Sequence, residues 1–272
     1  MSLRLLILFL SLCCFVISPL FAHEYWLEPN NFISEVNEQI KTSIKVGQNF
    51  KGDNYAYIPK QIKSAKVYIN EEHYKIRQRV GDQTITLIPE KEGLHILALT
   101  TNHFMVSYDT YDDFKKFVNK QDLAWVLEAH KMRQLPLKNF TEAYRRFAKT
   151  LIQVGKGEQI DQRLGLEFEW VLKSDLGKSD SDSLVAEPLV AELWWQGEPL
   201  KSFQLSLFIN KDNQINNYVL KTNEQGQVRI KKVAGAKYLI SAVQMVIPDK
   251  KVKEQTEAIW ESLWTSISFG VR

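Results

Sequence analysis

Chemistry beyond packing could come from five histidines in this chain. The sequence has no paired-cysteine zinc spacing, no HExxH, no phosphate-binding glycine loop and no G-x-S-x-G elbow, which weighs against the familiar hydrolases. His73, in "HYKIRQRV", alternates in phase with Lys75, Arg77 and Arg79 and reads as part of a solvated strand face. His130 follows Val126, Leu127 and Glu128 and reads as a surface or boundary residue of a helix. His95 is in phase with Leu97 and Leu99, which puts an imidazole on an apolar strand face, either as a satisfied core histidine or as a ligand. His103 opens "HFMVSY", in phase with Met105, at the edge of the same expected hairpin.

His23 stands apart because of what precedes it, in "LFAHEYWLEP". If a protease cuts after Ala22, one residue carries both an imidazole and a free α-amine, and the two nitrogens close a six-membered chelate on a single cation. Both kinds of group titrate near neutrality, so a metal can compete with protons for them. Nitrogen ligands of this type suit Cu, Ni, Co and Zn, with Cu(II) favoured on affinity. A third ligand must come from elsewhere: His95 or His103 from the fold, or Glu24 or Glu28 locally. The bland alternative is that His23 is merely the residue left by cleavage.

Cleavage is expected from residues 1 to 22. Met-Ser-Leu-Arg, the apolar run "LLILFLSLCCFVI" and "SPLFA" match the three regions of a secretory signal peptide. The apolar core is shorter than the roughly 20 residues a membrane span needs, and Ser18-Pro19 follow it. Leu12 before Cys13 is not the small residue that lipoprotein processing favours. The only two cysteines lie in this segment, so the mature chain would have no disulfide and would be held by its core alone. One of the 35 basic residues, Arg4, lies in the leader, leaving 34 against 32 acidic. A balance of +2 argues against nucleic acid or anionic membrane as partner.

The elements that must position these histidines are mostly strands. "QIKTSIKV", "AKVYIN", "TITLIP" and "GLHILALT" alternate polar with apolar between Gly and Pro punctuation, which predicts an antiparallel sandwich over residues 23–109. "TYDDFKKFVNK", "DLAWVLEAHKMRQ" and "NFTEAYRRFAKTLIQVG" instead place apolar residues three and four apart. This predicts a helical insertion over 110–155, with Thr110/Asp113 and Asn139/Glu142 as start signals and Gly155 as a stop. "LGLEFEWVL", "LVAELWW", "FQLSLFIN", "NYVLKT", "QVRI", "KYLISAVQMVI" and "WTSISFG" restore alternation over 156–272, with a polar loop at 173–183 and a turn at "NEQG". The expected fold is mostly β: two Ig-like or transthyretin-like antiparallel sandwiches joined by a helical insertion. Trp194, Trp195, Trp260 and Trp264 could form a sugar-stacking platform, but core packing is the preferred reading.

The stretches "AHEYWLEP", "IKVGQNFKGD", "EGLHILALT", "AYRRFAKTLIQVG", "LGLEFEWVL", "GQVRI" and "WESLWTSISFG" together resemble a family of exported bacterial proteins. It is a domain-of-unknown-function family linked to the periplasmic component of nickel or cobalt uptake (NikM-like). The resemblance implies a metal-linked envelope protein whose opening motif is matched by His23, Glu24, Trp26, Leu27, Glu28 and Pro29. A second matching block is Trp260, Glu261, Ser262, Trp264 and Ser266. It also leads us to expect a histidine where this chain has Gln244, a poor transition-metal ligand. "GEPLKSFQLSLF", "TNEQGQVRI" and "AKYLISAVQ" resemble the transthyretin-like module of carboxypeptidase regulatory domains, which implies a structural or binding unit.

The expected function is therefore a periplasmic, non-enzymatic protein that binds a transition metal, Ni or Co by resemblance and Cu by ligand chemistry. An inner-membrane metal transporter is the expected partner, with no membrane insertion after signal cleavage. The alternatives are a metal-free envelope module for protein or glycan, and a copper monooxygenase with a histidine brace, which would need a second histidine facing His23.

Overall fold

The structure, a computed structural model, describes residues 23–178 and 187–272. The expected signal peptide and residues 179–183 of the polar loop lie outside the described residues. The chain opens with β1 (Glu24–Pro29), β2 (Ile33–Ser34), β3 (Ile40–Gln48) and β4 (Lys51–Tyr55). Next come β5 (Ile62–Ile69), β6 (Glu72–Lys75), β7 (Ile85–Leu87), β8 (Gly93–Thr101) and β9 (Phe104–Tyr108). Two helices, α1 (Tyr111–Lys120) and α2 (Trp125–Met132), precede the long strand β10 (Phe140–Val154) and β11 (Phe168–Leu172). The remainder is β12 (Leu189–Trp195), β13 (Glu198–Pro199), β14 (Gln204–Lys211), β15 (Gln214–Lys221), β16 (Gln227–Ile230), β17 (Lys237–Val246), α3 (Lys250–Thr256) and β18 (Trp260–Gly270). Among the described residues no helix is long and apolar enough to cross a membrane.

The protein is mostly β, and one sheet organises it. Ten strands run in the order β15-β14-β17-β18-β10-β8-β5-β6, with β2 and β9 also pairing β10. A four-stranded sheet of β1, β3, β4 and β7 and another of β11, β12, β13 and β16 complete the set. Alternation assigns the two faces of the large sheet. Phe147, Leu151, Leu263, Ile267 and Phe269 point to one side, where they form a core with Phe168, Trp170 and Leu193 of the β11/β12 sheet. Ala148 and Ile152 point to the other, against Tyr25, Leu27 and Ile44 of the β1/β3 sheet. On that same second face Phe114, Phe117 and Val126 of α1 and α2 pack on Phe140, Trp260 and Trp264.

The helical insertion expected over 110–155 is corrected in its second half: helix ends at Met132 and Phe140–Val154 is a 15-residue strand. β10 pairs β18 in parallel through residues 142–150, and β8 and β9 antiparallel on its other edge. A central strand is covered on both faces, so the two-residue alternation that marks a half-exposed strand disappears. What remained was an accidental three-to-four spacing. Its polar members Glu142, Arg145, Lys149 and Gln153 are buried rather than solvated. Asn139 is not a helix cap but a left-handed residue (φ 51°) turning into the strand, and Gly155 (φ 61°) turns out of it. A continuous strand, not a helical linker, thus joins the first β region to the second. The turn at "NEQG" is present, with Gly226 N–H donating to the Asn223 carbonyl at 3.0 Å.

Candidate functional site

β1 is seated on the large sheet by its backbone. One edge pairs β3, with Glu24 opposite Gly47. On the other edge the carbonyl of Tyr25 accepts from the Ser266 hydroxyl at 2.7 Å, and that of Leu27 accepts from Ser268. Two serines of "WTSIS" therefore satisfy an edge that would otherwise be buried unpaired. Trp26 points away from Tyr25 and packs with Phe50, Phe208 and Leu239. A Cβ on Gly52 would stand 2.6 Å from the Trp26 ring, so glycine is what lets "KGD" pass there.

This seating holds His23, exposed just ahead of β1, at a cavity of about 470 Å³ between the β3/β4 edge, α1 and the large sheet. Phe104 and Tyr108 of β9, Asp109, Asp113 and Lys116 near α1, and Arg146 of β10 contribute walls. Glu142 lies at its floor, fully buried, accepting hydrogen bonds from the Tyr108 hydroxyl at 2.9 Å and from Ser262. Ser262 in turn accepts from the Trp264 indole at 2.9 Å. Burial pushes the Glu142 carboxyl up to about 7, although both hydrogen bonds pull it back. Burial, then the neighbouring Glu142, drives the Tyr108 phenol well above its ordinary range. A carboxyl that titrates near neutrality at the floor of a cavity can hold or release a proton there.

Of the expected ligand set, His23 lines the cavity and His95, His103, Glu24 and Glu28 do not. His95 lies in the core of the first β region: Nδ1–H donates to the Gly93 carbonyl at 3.3 Å, Nε2 is buried without a partner among the described residues, and burial lowers its pKa. It pairs with Ile152 while Phe104 of the cavity pairs with Tyr144, eight residues away and thus about 26 Å along β10. His103 fails for a different reason. It precedes Phe104, which faces the cavity, so alternation sends it to the opposite face. There its Nε2 meets Glu261 at 3.0 Å, on the same oxygen that accepts from Arg145 Nε at 2.7 Å. Burial raises the Glu261 carboxyl, but His103 and Arg145 outweigh it and hold it below its ordinary range.

The local carboxylates have other surroundings. Glu28 accepts from the Trp26 indole at 3.1 Å and lies 3.9 Å from Lys237. Glu24 Oε2 is buried without a partner; burial raises this carboxyl, and Lys120 lowers it. Neither is part of the cavity wall. Among the described residues no three of His, Cys, Asp and Glu form a group able to hold a metal ion. Gln244 lines a separate groove with Trp125 and Trp195.

His73 is exposed on β6, as its pattern suggests. His130 is not at the surface: it is fully buried, donating from Nε2 to the Pro136 carbonyl at 3.0 Å and accepting at Nδ1 from the Trp260 indole at 3.0 Å. Trp260 and Trp264 are buried between helices and sheet, so core packing accounts for the pair, and Trp264 also reaches the cavity wall. Trp194 donates to Glu192 at 2.9 Å and is covered by Arg163 at 3.9 Å.

The sequence reading missed the cavity carboxylates Asp109, Asp113 and Glu142 and the cation Arg146. For Glu142 and Arg146 the signal was present as charges at 142, 145, 146 and 149 in a segment otherwise too apolar to be a surface element.

A family of unknown function, DUF4198, matches residues 20–246. The chain belongs to the DUF4198 family. The match takes in His23, α1, α2 and the cavity-lining part of β10, and it stops where β17 ends, before α3 and β18. No curated protein matches this chain.

Proposed function

We propose that this DUF4198 protein is an exported, non-enzymatic binding protein of the periplasm whose site is the cavity beside His23, and that it handles a transition metal there. The observation that carries this reading is that His23 shares one cavity with three carboxylates: Asp109 in the connection after β9, Asp113 on α1 and Glu142 on β10. Cleavage after Ala22 would give His23 two nitrogen ligands, so a single carboxylate completes a three-donor site, and no cluster of three side chains is needed. Such a nitrogen-rich set favours Cu(II), then Ni(II), then Co(II). The family resemblance points to nickel or cobalt and to an inner-membrane transporter as recipient. We read the two β regions as sandwiches fused through the shared sheet, the second of them transthyretin-like. The histidine-brace oxygenase loses support, since neither His95 nor His103 lines the cavity.

The test is native mass spectrometry of the processed protein followed by titration with Ni(II), Co(II), Cu(II) and Zn(II). Stoichiometric binding is expected, with at least a tenfold loss when one extra residue is placed ahead of His23, because the chelating amine moves away (about 1.4 kcal/mol or more). Equal affinity of the two forms sinks the terminal chelate.

A further inference from the structure

Two neighbouring arginines leave β10 on opposite faces, and their surroundings differ. Arg145 is neutralised twice: its Nε donates to Glu261 at 2.7 Å, and its terminal nitrogens donate to the two oxygens of Glu167 at 2.9 and 3.2 Å. Arg146 turns into the cavity instead. Its guanidinium carbon stands 4.8 Å from the Tyr144 ring, 5.0 Å from Tyr25 and 5.5 Å from Phe104. Its Nε is buried and makes no hydrogen bond among the described residues. Among the described residues no carboxylate is within ion-pairing distance of it, in contrast to Arg145.

The rings explain how such a cation is held without a counter-charge. Aromatic faces attract the flat faces of a guanidinium. The N–H donors lie in its plane, so ring contacts position the group and leave part of its donor edge unspent. That edge matches a carboxylate in two parallel hydrogen bonds.

The rest of the cavity sets the class of anion. About 470 Å³ is far more than an inorganic anion fills and lies in the range of small-molecule sites. Phe104 and Tyr144 stack at 5.3 Å on one side, and Phe117 and Trp264 stack at 5.8 Å on another. Of the other charged groups on the wall, Lys116 pairs with Asp113 at 3.0 Å, Glu142 is satisfied by Tyr108 and Ser262, and Lys120, Asp109 and His23 complete the set.

We infer that the cavity binds an organic carboxylate with a flat apolar body, the carboxylate on Arg146 and the body between the aromatic walls. This does not rest on metal at His23, and the test is run on metal-stripped protein so that the two can fail separately. Calorimetric titration uses 2-naphthoate, the matching cation 2-naphthylmethylamine, and acetate and inorganic phosphate. One-site saturable binding of 2-naphthoate is expected, with the amine, acetate and phosphate each weaker by about tenfold or more. Arg146→Met is expected to lose a similar factor for 2-naphthoate, and Arg146→Lys to retain part of it. The inference is overturned if 2-naphthoate shows no saturable binding, if any of the other three compounds binds equally well, or if a folded Arg146→Met protein keeps the parent affinity. The comparison of naphthoate with its amine is made on the unaltered chain and needs no variant to fold.

Discussion

Glu142 illustrates how burial and function meet in one side chain. Among the described residues its carboxyl has two hydrogen-bond donors, Tyr108 and Ser262, to replace water and no cation paired with it, so ionisation is costly. An unfolded chain ionises this group near 4.5 and the folded chain near 7, so folding takes up a proton between those values. The stabilisation is therefore whole below pH 4.5 and is lost as pH rises through about 7. Glu142→Gln keeps an acceptor for Ser262 and removes the charge. Urea denaturation should show the variant gaining on the parent by on the order of 3 kcal/mol between pH 4.5 and 8. Parallel stability profiles for the two proteins would show that Glu142 does not titrate as a buried acid. Burial acts on His95 by the same principle, disfavouring the charged imidazole and lowering its pKa.

At the level of elements, β10 shows both what the sequence reveals and where it misleads. Half-exposed strands such as Ile40–Gln48 and Ile85–Leu87 announce themselves by alternation, and α1 by its apolar stripe of Phe114, Phe117 and Val118. β10 has no exposed face, so its charges fall where the buried partners are rather than every second residue. Lys149 is the clearest case: it is buried with Asp161 at 2.8 Å and Glu169 at 3.3 Å and also donates to the carbonyls of Gln162 and Trp170. The two carboxylates accept from the backbone N–H groups of Gln162, Leu164, Leu166 and Leu172, so this one lysine anchors the connection between β10 and β11. Lys149→Met leaves two buried acids without a cation and should cost about 3–5 kcal/mol. Adding Asp161→Asn and Glu169→Gln should recover a large part of that loss in chemical denaturation; a triple variant no better than the single one would mean the lysine acts through packing alone. The cavity was hidden for a related reason: its walls come from β3, β4, β9, α1, β10 and β18, and no single stretch of sequence contains the juxtaposition. Only the His23 corner was legible, because a histidine next to an expected cleavage site is a local pattern.

For the whole molecule, the decisive element is the last strand. β18 lies between β17 and β10, pairing the first antiparallel over residues 261–270 and the second in parallel over residues 260–268. Among the described residues it is the only link in the large sheet between β10 and the group β17, β14 and β15. Its side chains serve both faces: Leu263, Ile267 and Phe269 in one core, Trp260 and Trp264 in another, and Ser266 and Ser268 under β1. The region matched to the DUF4198 family ends at residue 246 and omits this strand. The boundary of family similarity and the boundary of the folding unit therefore differ. A protein covering residues 23–246 should not fold: it would expose the facing edges of two strands, leave both cores open and strip Ser262 and Trp264 from the cavity floor. The protein from residue 23 to 272 should unfold in a single transition, with indole fluorescence and far-ultraviolet circular dichroism coincident, because neither β region keeps its sheet when the other is lost. A truncated protein with dispersed amide resonances, or two well-separated transitions in the longer one, would show that the halves fold independently and that β18 only docks between them.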